Sequence, residues 1–149
     1  MATAEDRCQM CRLAAVDDAY FSMQDLEIRR GGSSYTIDTV RALKQLGWNE
    51  VHWLIGADQL MDLPRWKEPD ALLREAKIVI MRRPGTALDW NKLPSSYHRL
   101  QENVVEAPLV DISATEIRRR VANGESIDGL TPPAVIDYIR KHGLYRATA

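Results

Sequence analysis

The chain has 149 residues, 45% of them hydrophobic and 28% charged, with a formal net charge of −1 at pH 7. That length suits a single domain with a real core, and the near-neutral balance argues against a nucleic-acid or polyanion binder, a local basic patch aside. No apolar run approaches membrane-spanning length and no signal-peptide pattern follows Met1, so the expected setting is cytoplasmic.

In chain order, residues 4–16 read as an amphipathic helix with Met10, Leu13 and Ala14 on one face. Cys8 and Cys11 form a C-x-x-C inside it. Zinc would need two further ligands at matching spacing, and a redox motif would follow a strand and open a helix. The pair therefore reads as two small apolar residues one turn apart. Residues 21–28 read as a strand with imperfect alternation, followed by a flexible, partly basic turn from Arg29 to Ser33. A helix over 36–46 puts Ile37, Val40 and Leu43 inward, with Ser34 as its cap and Gly47 as its stop.

Residues 51–55 are almost continuously apolar, the pattern of a strand buried on both faces. A short helix over 58–63 breaks at Pro64. Another follows over 69–76, and then a second buried strand over 77–81 that ends in Arg82-Arg83-Pro84-Gly85. Residues 86–103 read as loop with a short helix. A third strand is expected over 104–110, at a sheet edge because of Pro108. The last helix has Thr131 as cap, Pro132 as first residue, Val135, Ile136 and Ile139 inward, and Gly143 at its end.

Residues 109–124, LVDISATEIRRRVANG, carry the sharpest local signal. A strand-like run turns at Ser113 into a helix with Ile117 and Val121 on one face, and Asn123-Gly124 stops it. Ser113 and Glu116 have the spacing of a capping box, and Ile112 and Ile117 that of a hydrophobic staple. Two uses fit this helix start. Its free N–H groups, with Thr115 in the first turn and Arg118 one turn on, suit a phosphate. Equally, it reads as a well-capped surface helix, whose Glu116 would compete with a bound anion.

Strands alternating with helices imply a doubly wound α/β fold with a parallel sheet covered on both faces. Ligands in such sheets sit beyond the carboxyl ends of the strands. Gly56, Asp58, Arg82, Arg83 and the Ser113 turn all fall along that rim. Each has a local alternative: Asp58 as a helix cap, Trp66 as a packed anchor between Pro64 and Pro69, the arginines as a solvated turn, Tyr35 and Thr36 as a helix start.

SYT at 34–36, LIGAD at 54–58, LPRW at 63–66, MRRPG at 81–85, ISATEIR at 112–118 and HGLYR at 142–146 occur in that order. The chain resembles the bacterial nicotinate mononucleotide adenylyltransferases of the HxGH nucleotidyltransferase superfamily, from about Ala4 to Arg146. The ISATEIR segment is shared across the superfamily, while the SYT, tryptophan and RRPG elements narrow it to the nicotinate branch. The resemblance implies a Rossmann-like sheet and adenylyl transfer. In that reaction the phosphate of nicotinate mononucleotide attacks the α-phosphate of ATP, releasing pyrophosphate and forming deamido-NAD, with Mg²⁺ bound alongside ATP. It further implies that Ser113, Thr115 and Arg118 hold the ATP phosphates, and that Gly56 and Asp58 approach the nucleotide. Tyr35, Thr36 and Trp66 would form the nicotinate pocket, and Arg83 would meet the mononucleotide's phosphate. No metal ligand is assigned on the protein, and neither nucleic acid nor membrane is an expected partner.

The family's opening strand, its glycine-rich H-x-G-H turn and the strand after it have no counterpart here. His52, His98 and His142 stand apart and outside that context, so no catalytic residue is assigned. Residues 1–149 are expected to be one nucleotidyltransferase domain, incomplete at its N-terminus by its first strand–helix–strand unit. The strand at 51–55 would then be left with an open edge. The coding sequence upstream of Met1 is expected to read in frame through an H-x-G-H segment; a stop codon there would contradict this. Two alternatives stand beside the enzyme: a non-catalytic nucleotide-binding module, and an interaction domain whose open edge accepts a partner's strand. Oligomeric state and the preference for nicotinate over nicotinamide mononucleotide are left open.

Overall fold

The computed structural model describes residues 1–108 and 110–146. The chain divides into two compact units: Arg29–Leu109, and a second formed by both ends of the chain, Met1–Ile28 with Val110–Ala149.

The unit of residues 29–109 is built on a three-stranded parallel sheet in the order β1 (His52–Gly56), β2 (Lys77–Arg82), β3 (Val104–Glu106). β1 pairs with β2 in the register Trp53↔Ile78 and Ile55↔Ile80, so these four share one face. Ile55, Ile78 and Ile80 are fully buried there and Trp53 half-buried. On the other face Val79 is half-buried and Leu54 is 56% exposed. The expectation that β1 is buried on both faces is therefore corrected. Its apolar run reflects one packed face, and among the described residues its outer edge pairs with no strand.

α3 (Thr36–Gln45) buries Ile37, Val40 and Leu43 as its periodicity requires. Its N-cap is Tyr35 rather than Ser34, and no side chain bonds to the helix start. Gly47, at φ 93°, takes the left-handed conformation that ends the helix. α4 is short (Ala57–Leu60). Pro64 does not break it but opens a separate 3-10 turn, Leu63–Arg65, where a missing N–H costs nothing. α5 (Pro69–Glu75) packs against α3 and leads into β2. Residues 86–103 hold two 3-10 segments, Trp90–Lys92 and Ser95–Asn103, that bury Leu93, Tyr97 and Leu100. The third strand is less than half as long as expected and stops at Glu106, before Pro108; Leu109 lies outside the described residues.

In the other unit, α1 (Ala4–Ala15) is held by a true capping box between Thr3 and Asp6. It packs against α7 (Pro133–Lys141), and the Tyr138 hydroxyl donates to Asp6 at 3.0 Å. Val135, Ile136 and Ile139 of α7 form a core with Ile127, joined by Met10, Leu13, Ile117 and Val121. Ala14, expected on the inner face, is exposed. Pro132 is the N-cap of α7 rather than its first residue, and Thr131 makes no cap. The strand expected over 21–28 does not form. Phe21 is exposed, and Leu26–Arg30 is a short helix, α2, with Glu27 in its first turn and two arginines in its last, which suits the helix dipole. Among the described residues no helix is long and apolar enough to cross a membrane.

Candidate active site

β1 and β2 both run toward the rim where ligands bind in parallel sheets, and a hollow of about 330 Å³ opens at their ends. Gly56, Ala57 and Asp58 line it from β1 and α4, and Met81, Arg83 and Thr86 from β2 and the turn beyond. Three of the residues expected to bind substrates, Gly56, Asp58 and Arg83, are thus brought together. Met81 and Thr86 were not foreseen. The sequence signal for Thr86 was present in Arg83-Pro84-Gly85. Gly85 has φ 80° and the Thr86 N–H donates to the Arg83 carbonyl at 3.1 Å. Proline second and a left-handed glycine third make a type II turn, which returns Thr86 beside Arg83.

Gly56 matters for the space it leaves rather than for backbone freedom, since its φ of −72° is open to any residue. The Asp58 carboxylate folds back over its α-carbon, and a β-carbon there would collide with it. Asp58 is therefore not the cap of α4; Gly56 holds that position and no side chain bonds to the helix start. Among the described residues Asp58 makes no ion pair, so its carboxylate stands free at the hollow.

The two neighbouring arginines have different occupations. Arg82 pairs across the sheet with its register partner Glu106. Arg83 makes no ion pair among the described residues and lines the hollow.

The same division recurs in α6 (Ala114–Ala122), which lies in the unit made by the chain ends. Ser113 is its N-cap, its hydroxyl accepting from the Glu116 N–H at 3.1 Å. The reciprocal half of the expected capping box is absent, because the Glu116 carboxylate turns instead to Arg119 and Arg120, each at 2.8 Å. Those arginines hold Glu116 far below the usual carboxylate range, at about 2. Arg119 also binds Glu125 at 2.9 Å. The carboxylate that would have repelled an anion is thus neutralised by its own helix. Arg118 meets no carboxylate among the described residues and donates only to the Thr115 hydroxyl at 3.3 Å. Ser113, Thr115 and Arg118 all lie exposed at one helix start, where N–H groups and the dipole favour negative charge. Ile112 is exposed while Ile117 joins the core, so the staple contributes little.

Tyr35 and Thr36 stand at the start of α3, with Tyr35 exposed and Thr36 half-buried. Trp66 is half-buried at the end of the 3-10 turn. The Lys67 ammonium sits 5.0 Å from the Tyr35 ring centre, so the tip of that side chain lies over Tyr35. Leu63, fully buried, anchors the turn that leads to Trp66.

The three histidines are each occupied elsewhere. His52 bonds Glu50, His98 bonds the Trp90 carbonyl, and His142 stacks on Tyr138 at 4.1 Å. Cys8 is buried, its thiol 3.5 Å from the Met23 sulfur, while Cys11 is exposed, and both are free thiols. Among the described residues no three metal-ligating side chains are grouped.

The fold is that of the Rossmann-like α/β class, in which ligands bind beyond the carboxyl ends of parallel strands. A model of the cytidylyltransferase-like family matches residues 1–120. A relative from Roseiflexus sp. (strain RS-1), named "Probable nicotinate-nucleotide adenylyltransferase", is 44% identical over 148 residues, covering 98% of this chain and 74% of that one. A relative of the same name from Neisseria meningitidis serogroup C is 40% identical over 153 residues, covering 97% and 75%. The nicotinic acid mononucleotide adenylyltransferase of Plasmodium falciparum, solved in complex with NaAD, superposes with a TM-score of 0.68 at 21% identity, over 97% of this chain and 75% of that one, and carries the likeness of fold. The chain belongs to the cytidylyltransferase-like family, among its nicotinate-nucleotide adenylyltransferases.

Proposed function

We propose that this chain serves adenylyl transfer from ATP to nicotinate mononucleotide, the step that yields deamido-NAD and pyrophosphate in NAD biosynthesis. The observation that carries the reading is the 44% identity over nearly the whole chain to a relative of that name. The hollow where Gly56, Asp58 and Arg83 meet supports it.

In this reading the phosphate of nicotinate mononucleotide attacks the α-phosphorus of ATP, and the bond to the β-phosphate oxygen breaks. The chain's work is positioning and charge stabilisation rather than covalent catalysis. Arg118 and Thr115, with the N–H groups at the start of α6, bind ATP phosphates, and Ser113 keeps that helix start formed. Gly56 leaves room for the nucleotide, and Asp58 accepts hydrogen bonds from its adenosine part. Arg83 binds the phosphate of the mononucleotide as a planar, always-charged donor. Tyr35, Thr36 and Trp66 receive the pyridine ring, Trp66 offering an indole face for stacking. Charge on the ATP phosphates would be offset by Mg²⁺ bound with ATP, with no ligand assigned on the chain. The setting proposed is the cytoplasm.

The test is turnover with both substrates. ATP, Mg²⁺ and nicotinate mononucleotide should give pyrophosphate and deamido-NAD in equal amounts, with neither formed when one substrate is omitted. Binding of both nucleotides with no pyrophosphate released, or binding of neither, would overturn the reading.

A further inference from the structure

The segment from Arg65 to Glu68 is held more firmly than its burial explains. Trp66 is only half-buried, and Lys67 and Glu68 are exposed. Glu68 takes the left-handed conformation at φ 48°, which a residue with a side chain rarely adopts unless its surroundings impose it. Two ionic contacts from α3 hold Lys67 and Glu68 on this bend. The Lys67 ammonium binds both oxygens of Asp38, at 2.8 and 2.9 Å. One turn further along the helix, the Arg41 guanidinium grips both oxygens of Glu68, at 2.8 and 3.2 Å. Its Nε and Nη2 also reach Glu75 at the far end of α5. Lys67 caps the arrangement by lying over the Tyr35 ring. Asp38, Glu68 and Glu75 are all held below the usual carboxylate range by these cations.

Exposed ion pairs of this kind add little to stability singly. Here they fall on consecutive residues directly after Trp66, and they tie them to the helix that Tyr35 caps and Thr36 begins. We propose that Asp38 and Lys67, backed by Arg41 and Glu68, are positioning residues: a two-point clamp that sets Trp66 against the start of α3, so that the pocket for the pyridine ring is formed before the ligand arrives. The inference rests on the assignment of Tyr35, Thr36 and Trp66 to nicotinate mononucleotide. Neither clamp residue need touch the ligand. Preforming the pocket spares the ligand the cost of ordering it, so losing the clamp falls on affinity for the mononucleotide.

Calorimetric titration of the native chain, Asp38→Asn, Lys67→Met and the reversed double variant Asp38→Lys/Lys67→Asp, each with nicotinate mononucleotide and separately with Mg²⁺–ATP, tests this. Each single variant should bind the mononucleotide about tenfold more weakly, while ATP affinity stays within about twofold of native. The reversed pair should recover most of the loss, to within about threefold of native. A general folding defect would weaken both ligands together, and a direct ligand contact by Lys67 would leave Asp38→Asn unaffected; either outcome overturns the clamp. If the native chain binds ATP but not the mononucleotide, the pocket assignment fails and the clamp with it. If the native chain binds it and the single variants bind it equally well, the clamp alone fails.

Discussion

Within each of two arginine runs, neighbours that look interchangeable in sequence do different work. Arg82, Arg119 and Arg120 are taken by carboxylates of the protein, whereas Arg83 and Arg118 meet none among the described residues. Composition and spacing could not separate them, because which arginine is neutralised depends on strand register and helix phase. Asp58 was open between a helix cap and a ligand-facing carboxylate. The structure removes the first, since Gly56 takes the cap position and the carboxylate closes over its α-carbon, and the second is the role proposed. That contact gives a prediction. In Gly56→Ala the new methyl must push the Asp58 carboxylate aside, and because the colliding atom ends a flexible side chain the fold should tolerate it. ATP affinity should fall about tenfold, the order of one charge-assisted hydrogen bond, with the thermal midpoint nearly unchanged. Equal ATP affinity in a calorimetric titration would remove Asp58 from the site.

At the scale of elements, long periodic segments were legible and their ends were not. The helices at 4–16, 36–46 and 114–122 follow from apolar spacing, and β1 and β2 from their apolar runs. Caps shifted by a residue or so at α3 and α7, where no side chain satisfies the helix start and backbone geometry alone sets it. The strand expected over 21–28 failed because a strand needs a partner, and nothing local in the sequence says whether one exists. α6 carries a prediction of its own. Glu116 ionises with difficulty lost rather than gained: its value drops from 4.5 to about 2 because Arg119 and Arg120 bind it. A carboxylate depressed in the folded state stabilises above its unfolded value, and that contribution disappears as pH falls through the folded one. Acidification from about 4.5 toward 2 should therefore weaken the native chain more than Glu116→Gln, which has no such proton to take up. Urea midpoints of the two, compared at neutral pH and across that acid window, measure it. Parallel curves would show that the pairing contributes nothing.

At the scale of the whole molecule, the least legible feature was that one compact unit is assembled from both ends of the chain. Tyr138 and Asp6 stand 132 positions apart and still share a hydrogen bond. Local periodicity marks Met10, Leu13, Val135 and Ile139 as buried faces without saying that they face one another. The rim was more legible, because a parallel α/β fold specifies where ligands bind before any residue is assigned. Family motifs then fall at strand ends and a helix start. The central claim is that Arg118 serves the phosphates of ATP and Arg83 the phosphate of the mononucleotide. It is tested most directly by titrating Arg118→Ala and Arg83→Ala with each nucleotide. Arg118→Ala should lose about tenfold or more in ATP affinity and little for nicotinate mononucleotide, and Arg83→Ala the reverse, the loss expected for a charged hydrogen bond to phosphate. Native affinity for both nucleotides in both variants would contradict the account.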